Sequence, residues 1–145
     1  MKQPLPRFLL PIVASCALAA CVFVSSFDPV AYERATSAKA EALLLMDKAT
    51  DDYRSHKKDI EAVTLDINKA FEYDRGLALN ESKVQLWETL LSPDRDLFGG
   101  FLRDWKRKRR LTPFFVEEKK KQVGQGFDEI IQLESGKPKR PQGMQ

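Results

Sequence analysis

The sequence predicts an all-α fold, with one long N-terminal helix or helical hairpin that is packed by shorter C-terminal helices and follows an apolar leader. Apolar residues after the leader recur at spacings of three and four, which is the period of one helix face. Neither Gly nor Pro occurs between Pro29 and Gly76, and no stretch alternates apolar and polar residues as a half-buried strand would. About 125 residues follow the leader, enough for one domain with a modest core.

The leader has the layout of a bacterial export signal. Lys2 and Arg7 precede an apolar run that begins at Phe8, and small residues precede Cys21. The chain is uncharged from Phe8 to Phe27, and about 20 such residues can also span a bilayer. An uncleaved membrane anchor is therefore the alternative interpretation of this segment.

The end of the leader, Leu18-Ala19-Ala20-Cys21, resembles the lipobox of bacterial prolipoproteins. The resemblance implies a signal peptide at 1–20, a diacylglycerol on the thiol of Cys21, and a lipidated tether at 21–27. Two or three acyl chains would hold the protein firmly on a membrane. Cys16 ends a second segment of the same pattern and is the alternative lipidation site, but the longer apolar run favours Cys21. By the same resemblance, Val22 in place of Asp implies outer-membrane rather than inner-membrane sorting in a Gram-negative cell.

The first predicted helix begins at Asp28-Pro29, with Asp28 as the N-cap and Pro29 in the first turn. It either continues for about 45 residues, on the order of 70 Å, or bends into a hairpin near Ser55-His56. The first half of its apolar face is mostly alanine, which predicts a closely packed neighbouring helix. The face consists of Ala35, Ala38, Ala42, Leu45, Ala49, Tyr53, His56, Ile60, Val63, Ile67, Ala70 and Leu77.

Three further helices follow a break at 76–80. Asn80 is predicted to cap the first, Ser92-Pro93 to start the second, and Thr112-Pro113 to open the last, which Gly136 closes. The predicted domain is 28–136, and 137–145 is predicted to be a disordered tail because it lacks apolar residues. The apolar faces of these helices carry Val84, Leu86, Trp87, Leu90, Leu91, Leu97, Phe98, Phe101, Leu102, Trp105, Val116, Val123, Phe127, Ile130 and Ile131.

No pattern in the sequence indicates catalysis, a metal or a cofactor. His56 is the only histidine, and no partner ligands occur at metal-binding spacing. Paired carboxylates such as Glu72 and Asp74 alternate with cations and are interpreted as exposed helix surface. Gly99-Gly100 lacks the phosphate-loop motif and is interpreted as a turn or a close helix approach. The protein is therefore predicted to be non-enzymatic.

The charges of the chain are divided unevenly. Without Lys2 and Arg7, 22 basic residues face 21 acidic ones, so a pI of 8.9 does not indicate nucleic-acid binding. Residues 28–104 carry 11 basic and 16 acidic side chains, whereas 105–145 carry 11 and 5. This asymmetry predicts either pairing between the two parts or a basic face offered to a partner.

The basic charge is concentrated around Trp105, which is itself predicted to be a core residue. Such a run can bind an anionic membrane or polymer, or it can stabilise a helix C-terminus and pair with the acidic part of the chain. Both interpretations remain open from the sequence. The candidate anionic-surface residues are Arg103, Lys106, Arg107, Lys108, Arg109 and Arg110.

The segments "KAEALLLMDKAT", "LFGGFLRDWK" and "FDEIIQLESGK" resemble those of small uncharacterised bacterial lipoproteins, and this resemblance implies no activity. The predicted function is that of a non-enzymatic, lipid-anchored helical protein of the bacterial cell envelope. Its expected partners are the membrane and an envelope protein or anionic envelope polymer, not nucleic acid. The alternative is a single-pass inner-membrane accessory protein with an uncleaved signal anchor.

Overall fold

A computed structural model describes residues 25–137, and within this range every regular element is a helix, as predicted. Two single-turn 3-10 helices, Lys48–Thr50 and Tyr53–His56, lie between the first two α-helices. The candidate lipidation sites Cys16 and Cys21, the signal peptide and residues 138–145 lie outside the described range. The α-helices are α1 (Pro29–Asp47), α2 (Lys57–Gly76), α3 (Glu81–Leu91), α4 (Phe98–Lys108) and α5 (Pro113–Ser135).

None of the helices in residues 25–137 combines the length and the hydropathy that crossing a membrane requires.

The first predicted helix is a hairpin, in which α2 packs back along α1. The reversal begins where Asp51 leaves the helical conformation, with φ −90° and ψ 171°. Asp52 then caps the second 3-10 turn by accepting the backbone N–H of Arg54 at 2.9 Å. The chain therefore turns at two acidic residues just before the predicted bend at Ser55-His56.

The last helix has the bounds that the sequence predicted, whereas α4 begins at Phe98 and not at Ser92-Pro93. Helix α5 spans 23 residues from its N-cap Thr112, and packs along α1 on the side not taken by α2. Ala35, Ala38 and Ala42 are buried, so the alanine-rich face of α1 does have close helical neighbours, as predicted. The three long helices α1, α2 and α5 form the frame on which α3 and α4 are placed.

Aromatic rings fill the core between this frame and the short helices. Trp87 and Phe127 are buried and meet edge to face, with ring centroids 5.8 Å apart. Trp105 is buried in the core, as predicted. In the first turn of α4, a methyl group on Gly99 would lie 2.1 Å from the carbonyl oxygen of Leu91, and one on Gly100 would lie 1.9 Å from that of Arg95. The glycine pair thus permits a close approach of backbone segments.

The starts of α1 and α3 and the ends of α2 and α5 meet at one end of the bundle, here called the N-terminal pole. The backbone N–H of Asp28 donates to Oε1 of Glu134 at 2.6 Å. The hydroxyl of Tyr73 donates to Oδ2 of Asp28 at 3.0 Å, and this bond, with burial, raises the pKa of Tyr73. The point at which the chain enters the bundle is therefore fixed by α2 and α5.

The opposite end, here called the basic pole, joins the hairpin turn to the segment between α4 and α5. The N–H of Leu111 donates to the carbonyl of Ala49 at 2.9 Å. Nε1 of Trp105 donates to the carbonyl of Asp51 at 3.0 Å. Since α1 has 19 residues and rises 1.5 Å per residue, the two poles are about 28 Å apart.

Candidate functional site

An open groove of about 610 Å³ lies at the basic pole between the second 3-10 turn, the segment before α4, and α4 itself. It combines an aromatic ring, apolar surface and three cationic side chains. The lining residues are Tyr53, Pro93, Gly99, Leu102, Arg103, Lys106 and Arg107.

The amphipathic pattern of α4 explains why cations line the groove. Phe98, Phe101 and Trp105 occupy the helix face turned to the core and are buried. Residues on the opposite face of a helix with period 3.6 must then point outward. This geometry places Lys106 and Arg107 on the surface, where both are exposed.

The carboxylate of Asp104 accepts hydrogen bonds from two arginines in the wall of the groove. Nε of Arg103 donates to Oδ1 of Asp104 at 3.2 Å, and Nη2 of Arg107 donates to the same oxygen at 3.0 Å. Arg103 also donates to the carbonyl of Pro93 at 2.6 Å, which fixes its position. Because Asp104 carries only one negative charge, the groove keeps a net positive charge.

The rest of the predicted basic cluster divides into exposed and structural residues. Lys106 and Arg110 are exposed and form no ion pair with any residue of the described range 25–137. Nζ of Lys108 lies 5.0 Å from the ring centroid of Phe115, within cation–π distance. Lys108 thereby links α4 to α5, and the charge of Arg110 contributes to lowering the pKa of Asp52.

Arg109 has a different role, because it holds the hairpin turn to α4. It adopts a positive φ of 71°, and its carbonyl accepts the N–H of Tyr53 at 2.8 Å. Its guanidinium donates two hydrogen bonds to the carboxylate of Asp52, which lower the pKa of Asp52. Pairing with the acidic part of the chain is one of the two interpretations of the cluster. It applies to Arg109 through Asp52, and also to Arg103 and Arg107 through Asp104.

His56 lies beside this site on the packing seam of the hairpin turn. Its Nε2 is 3.3 Å from Oδ2 of Asp51, and its Nδ1 is 3.4 Å from Oδ2 of Asp59. Asp59 also accepts from Nζ of Lys48 at 2.7 Å, and the bonds from Lys48 and His56 lower its pKa. No group of three or more His, Cys, Asp or Glu side chains within residues 25–137 has the geometry to hold a metal ion.

The sequence interpretation missed a buried ionic network at the N-terminal pole. Lys83 is 1 % exposed; its Nζ donates to Oε2 of Glu134 and lies 2.8 Å from Oδ1 of Asp74. Nζ of Lys137 donates to Oε2 of Glu134 at 2.7 Å and to Oδ1 of Asn80 at 2.9 Å. Two cations and two carboxylates thus neutralise each other out of contact with water.

Hydrogen bonds complete this network. Nε1 of Trp87 donates to Oδ2 of Asp74 at 2.6 Å, whereas Oδ1 of Asp74 accepts no well-directed hydrogen bond. Burial alone would raise the pKa of Glu134, but hydrogen bonds from Lys137, Lys83 and the N–H of Asp28 outweigh it and lower that pKa.

Three interpretations made from the sequence change here. The sequence predicts an exposed Asp74, but this carboxylate is buried. The sequence predicts that the disordered tail begins at Lys137, but this lysine is buried and belongs to the domain. Asn80 does precede α3, but its amide donates to the carbonyl of Asp74 at 2.8 Å instead of capping the helix. A lysine in an amphipathic helix has the same sequence pattern whether it is solvated or paired, so no signal revealed the network.

No protein-family model, curated protein or solved structure matches the chain. The chemistry of the groove is therefore the basis for a functional hypothesis. Outward cations beside an aromatic ring and apolar surface suit a ligand that carries both negative charge and carbon-rich groups.

Proposed function

We propose that this chain is a non-enzymatic, lipid-anchored helical protein of the bacterial cell envelope, and that its groove binds an anionic envelope component. The lipobox-like segment ending at Cys21 supports the anchoring and the localisation, with outer-membrane sorting. The observation that carries the binding proposal is the open groove, where Lys106 and Arg107 are exposed and Asp104 offsets only one of two arginines.

The groove suits phosphate groups in particular. A guanidinium presents donors in a planar fork that matches phosphate oxygens, and Arg103 is already oriented by the carbonyl of Pro93. Lys106 adds an exposed positive charge, and Leu102 and Tyr53 add apolar surface to the groove. Phosphate-bearing lipids and polymers of the envelope have this combination of charge and carbon-rich surface.

The triple variant Lys106→Gln/Arg107→Gln/Arg110→Gln tests the binding. In the leaderless chain, residues 22–145, it should reduce co-sedimentation with phosphatidylglycerol vesicles about a hundredfold, because each surface cation adds roughly 1 kcal/mol. Its melting temperature should change little, since exposed ion pairs contribute only about 0–1 kcal/mol each. Binding of the unaltered chain should weaken with salt, which screens exposed charges over about 8 Å at physiological ionic strength.

A matched control removes three cations elsewhere: Lys69→Gln/Arg75→Gln/Lys121→Gln, whose side chains are all more than half exposed. This variant should bind vesicles like the unaltered chain. Equal loss in both triple variants would mean that total charge alone drives binding and would refute the groove as the site. A marked fall in the melting temperature of the first variant would assign the cluster to folding.

Lipid anchoring has its own test. Cys21→Ala should abolish both signal cleavage and incorporation of labelled fatty acid, because the thiol of Cys21 is the proposed acyl acceptor, whereas Cys16→Ala should leave both intact. Intact-mass spectrometry of the mature protein and membrane fractionation measure the outcome. The reverse pattern would move the site to Cys16, and an unmodified full-length chain in the inner membrane would favour the single-pass accessory protein.

A further inference from the structure

We propose that the basic pole docks on an anionic phospholipid bilayer that faces the N-terminal anchor, with the ring of Phe114 entering the bilayer interface. This inference rests on the proposed function and adds to it the class of the partner and the orientation of the bundle. In this arrangement the protein bridges two surfaces.

The first support is the placement of the two ends. The chain enters the bundle at Asp28, which is hydrogen-bonded to Glu134 and Tyr73 at the N-terminal pole. The cations and the groove lie at the basic pole, about 28 Å away along α1. A tether of residues 21–27 reaches at most about 25 Å when fully extended. If the bundle is upright, with α1 perpendicular to the membrane that holds the anchor, its basic pole therefore points away from that membrane.

The second support is the distribution of exposed apolar side chains. Within residues 25–137, seven large apolar side chains are exposed. Four of them, Val30, Tyr32, Leu79 and Leu133, lie in the helix ends and the loop of the N-terminal pole. These apolar side chains can contact the membrane that holds the anchor, and this contact favours the upright orientation.

The third support is Phe114, whose side chain shows the greatest exposure in that set, at 78 %. It lies in the first turn of α5, four residues after Arg110, and its neighbour Phe115 contacts Lys108. An exposed aromatic ring a few residues after a run of cations can bind at a membrane interface, because the ring enters the acyl boundary while the cations meet the headgroups. A soluble polyanion offers no apolar phase for this ring, so the bilayer is the favoured occupant.

A vesicle-bridging experiment with the full chain tests this proposal. The purified protein is inserted from detergent into preformed phosphatidylcholine vesicles, and fluorescent acceptor vesicles with or without phosphatidylglycerol are added. Clustering, measured by light scattering and energy transfer, should occur only with phosphatidylglycerol acceptors. The triple variant Lys106→Gln/Arg107→Gln/Arg110→Gln should need about a hundredfold more protein, and Phe114→Ala about tenfold more. The control Lys69→Gln/Arg75→Gln/Lys121→Gln should cluster like the unaltered chain.

The outcomes separate this proposal from the proposed function. If the leaderless chain binds anionic vesicles but the anchored chain does not cluster them, bridging is overturned and the binding function remains. If neither occurs, both proposals fail. If Phe114→Ala clusters vesicles like the unaltered chain and soluble polyphosphate competes fully, the partner is an anionic polymer and the bilayer proposal is overturned.

Discussion

Replacing Lys83 by Met is expected to lower the free energy of unfolding by about 3–5 kcal/mol, because removing one partner of a buried ion pair leaves a charge unpaired. Lys83 is 1 % exposed and stands between Glu134 and Asp74. Lys137 can still neutralise Glu134, but Asp74 keeps no cation within the described part of the chain. Urea denaturation followed by circular dichroism measures the change.

The matched control is Lys69→Met, which removes the same group from an exposed pair with Asp66 and should cost only about 0–1 kcal/mol. Adding Asp74→Asn to Lys83→Met should recover part of the loss, since Asn can still accept from Trp87 while the unpaired charge disappears. Equal effects of Lys83→Met and Lys69→Met would contradict the description of the network as a buried ion cluster.

Measuring unfolding at several pH values distinguishes the effect of losing the Lys83 charge from the effect of losing its packing. The folded pKa of Glu134 lies below its ordinary value of 4.5, so its stabilisation is complete above that pH and is lost as pH falls through the folded pKa. The unaltered protein should lose stability in acid, whereas Lys83→Met should lose less, because Glu134 in that variant lacks one of the hydrogen bonds that lower its pKa. The difference between the two proteins should therefore narrow below about pH 4.5, and a constant difference would indicate packing alone.

Replacing Phe127 by Ala is expected to cost about 3–5 kcal/mol, the usual loss for a fully buried ring that leaves a cavity. Phe127 has no exposed surface and packs edge to face on Trp87, where α5 meets α3. The loss should appear as a lower urea midpoint with an unchanged slope, because the surface exposed on unfolding stays similar.

The same helix supplies the control. Phe114→Ala truncates a ring that is mostly exposed, and surface substitutions of this kind change stability by about 0.5 kcal/mol or less. A loss below about 1 kcal/mol for Phe127→Ala would show that the α5 face is loosely packed, since full burial cannot give so small an effect.

Local signals in the sequence were sufficient for the helices and their apolar faces. Asp28 caps α1 and Thr112 caps α5, each followed by proline, because an N-cap oxygen and the missing N–H of proline act within one turn. Spacing placed Trp105 and Phe127 in the core, since a helix presents every third or fourth residue to one side. These properties depend on neighbours a few residues away, which a sequence displays directly.

The hairpin, the ionic network and the division of the basic cluster were decided by tertiary contacts. No Gly or Pro marks the turn after Asp47; it is held by Leu111, Trp105 and Arg109, which are more than 50 residues distant. Lys83 and Glu134 are 51 residues apart, and their charges can be buried only because the fold brings them together. The sequence by itself determined where charge is concentrated and which faces are apolar. The tertiary structure decided that Arg109 closes the fold while Lys106 faces solvent, because pairing and burial depend on distances between groups that are remote along the chain.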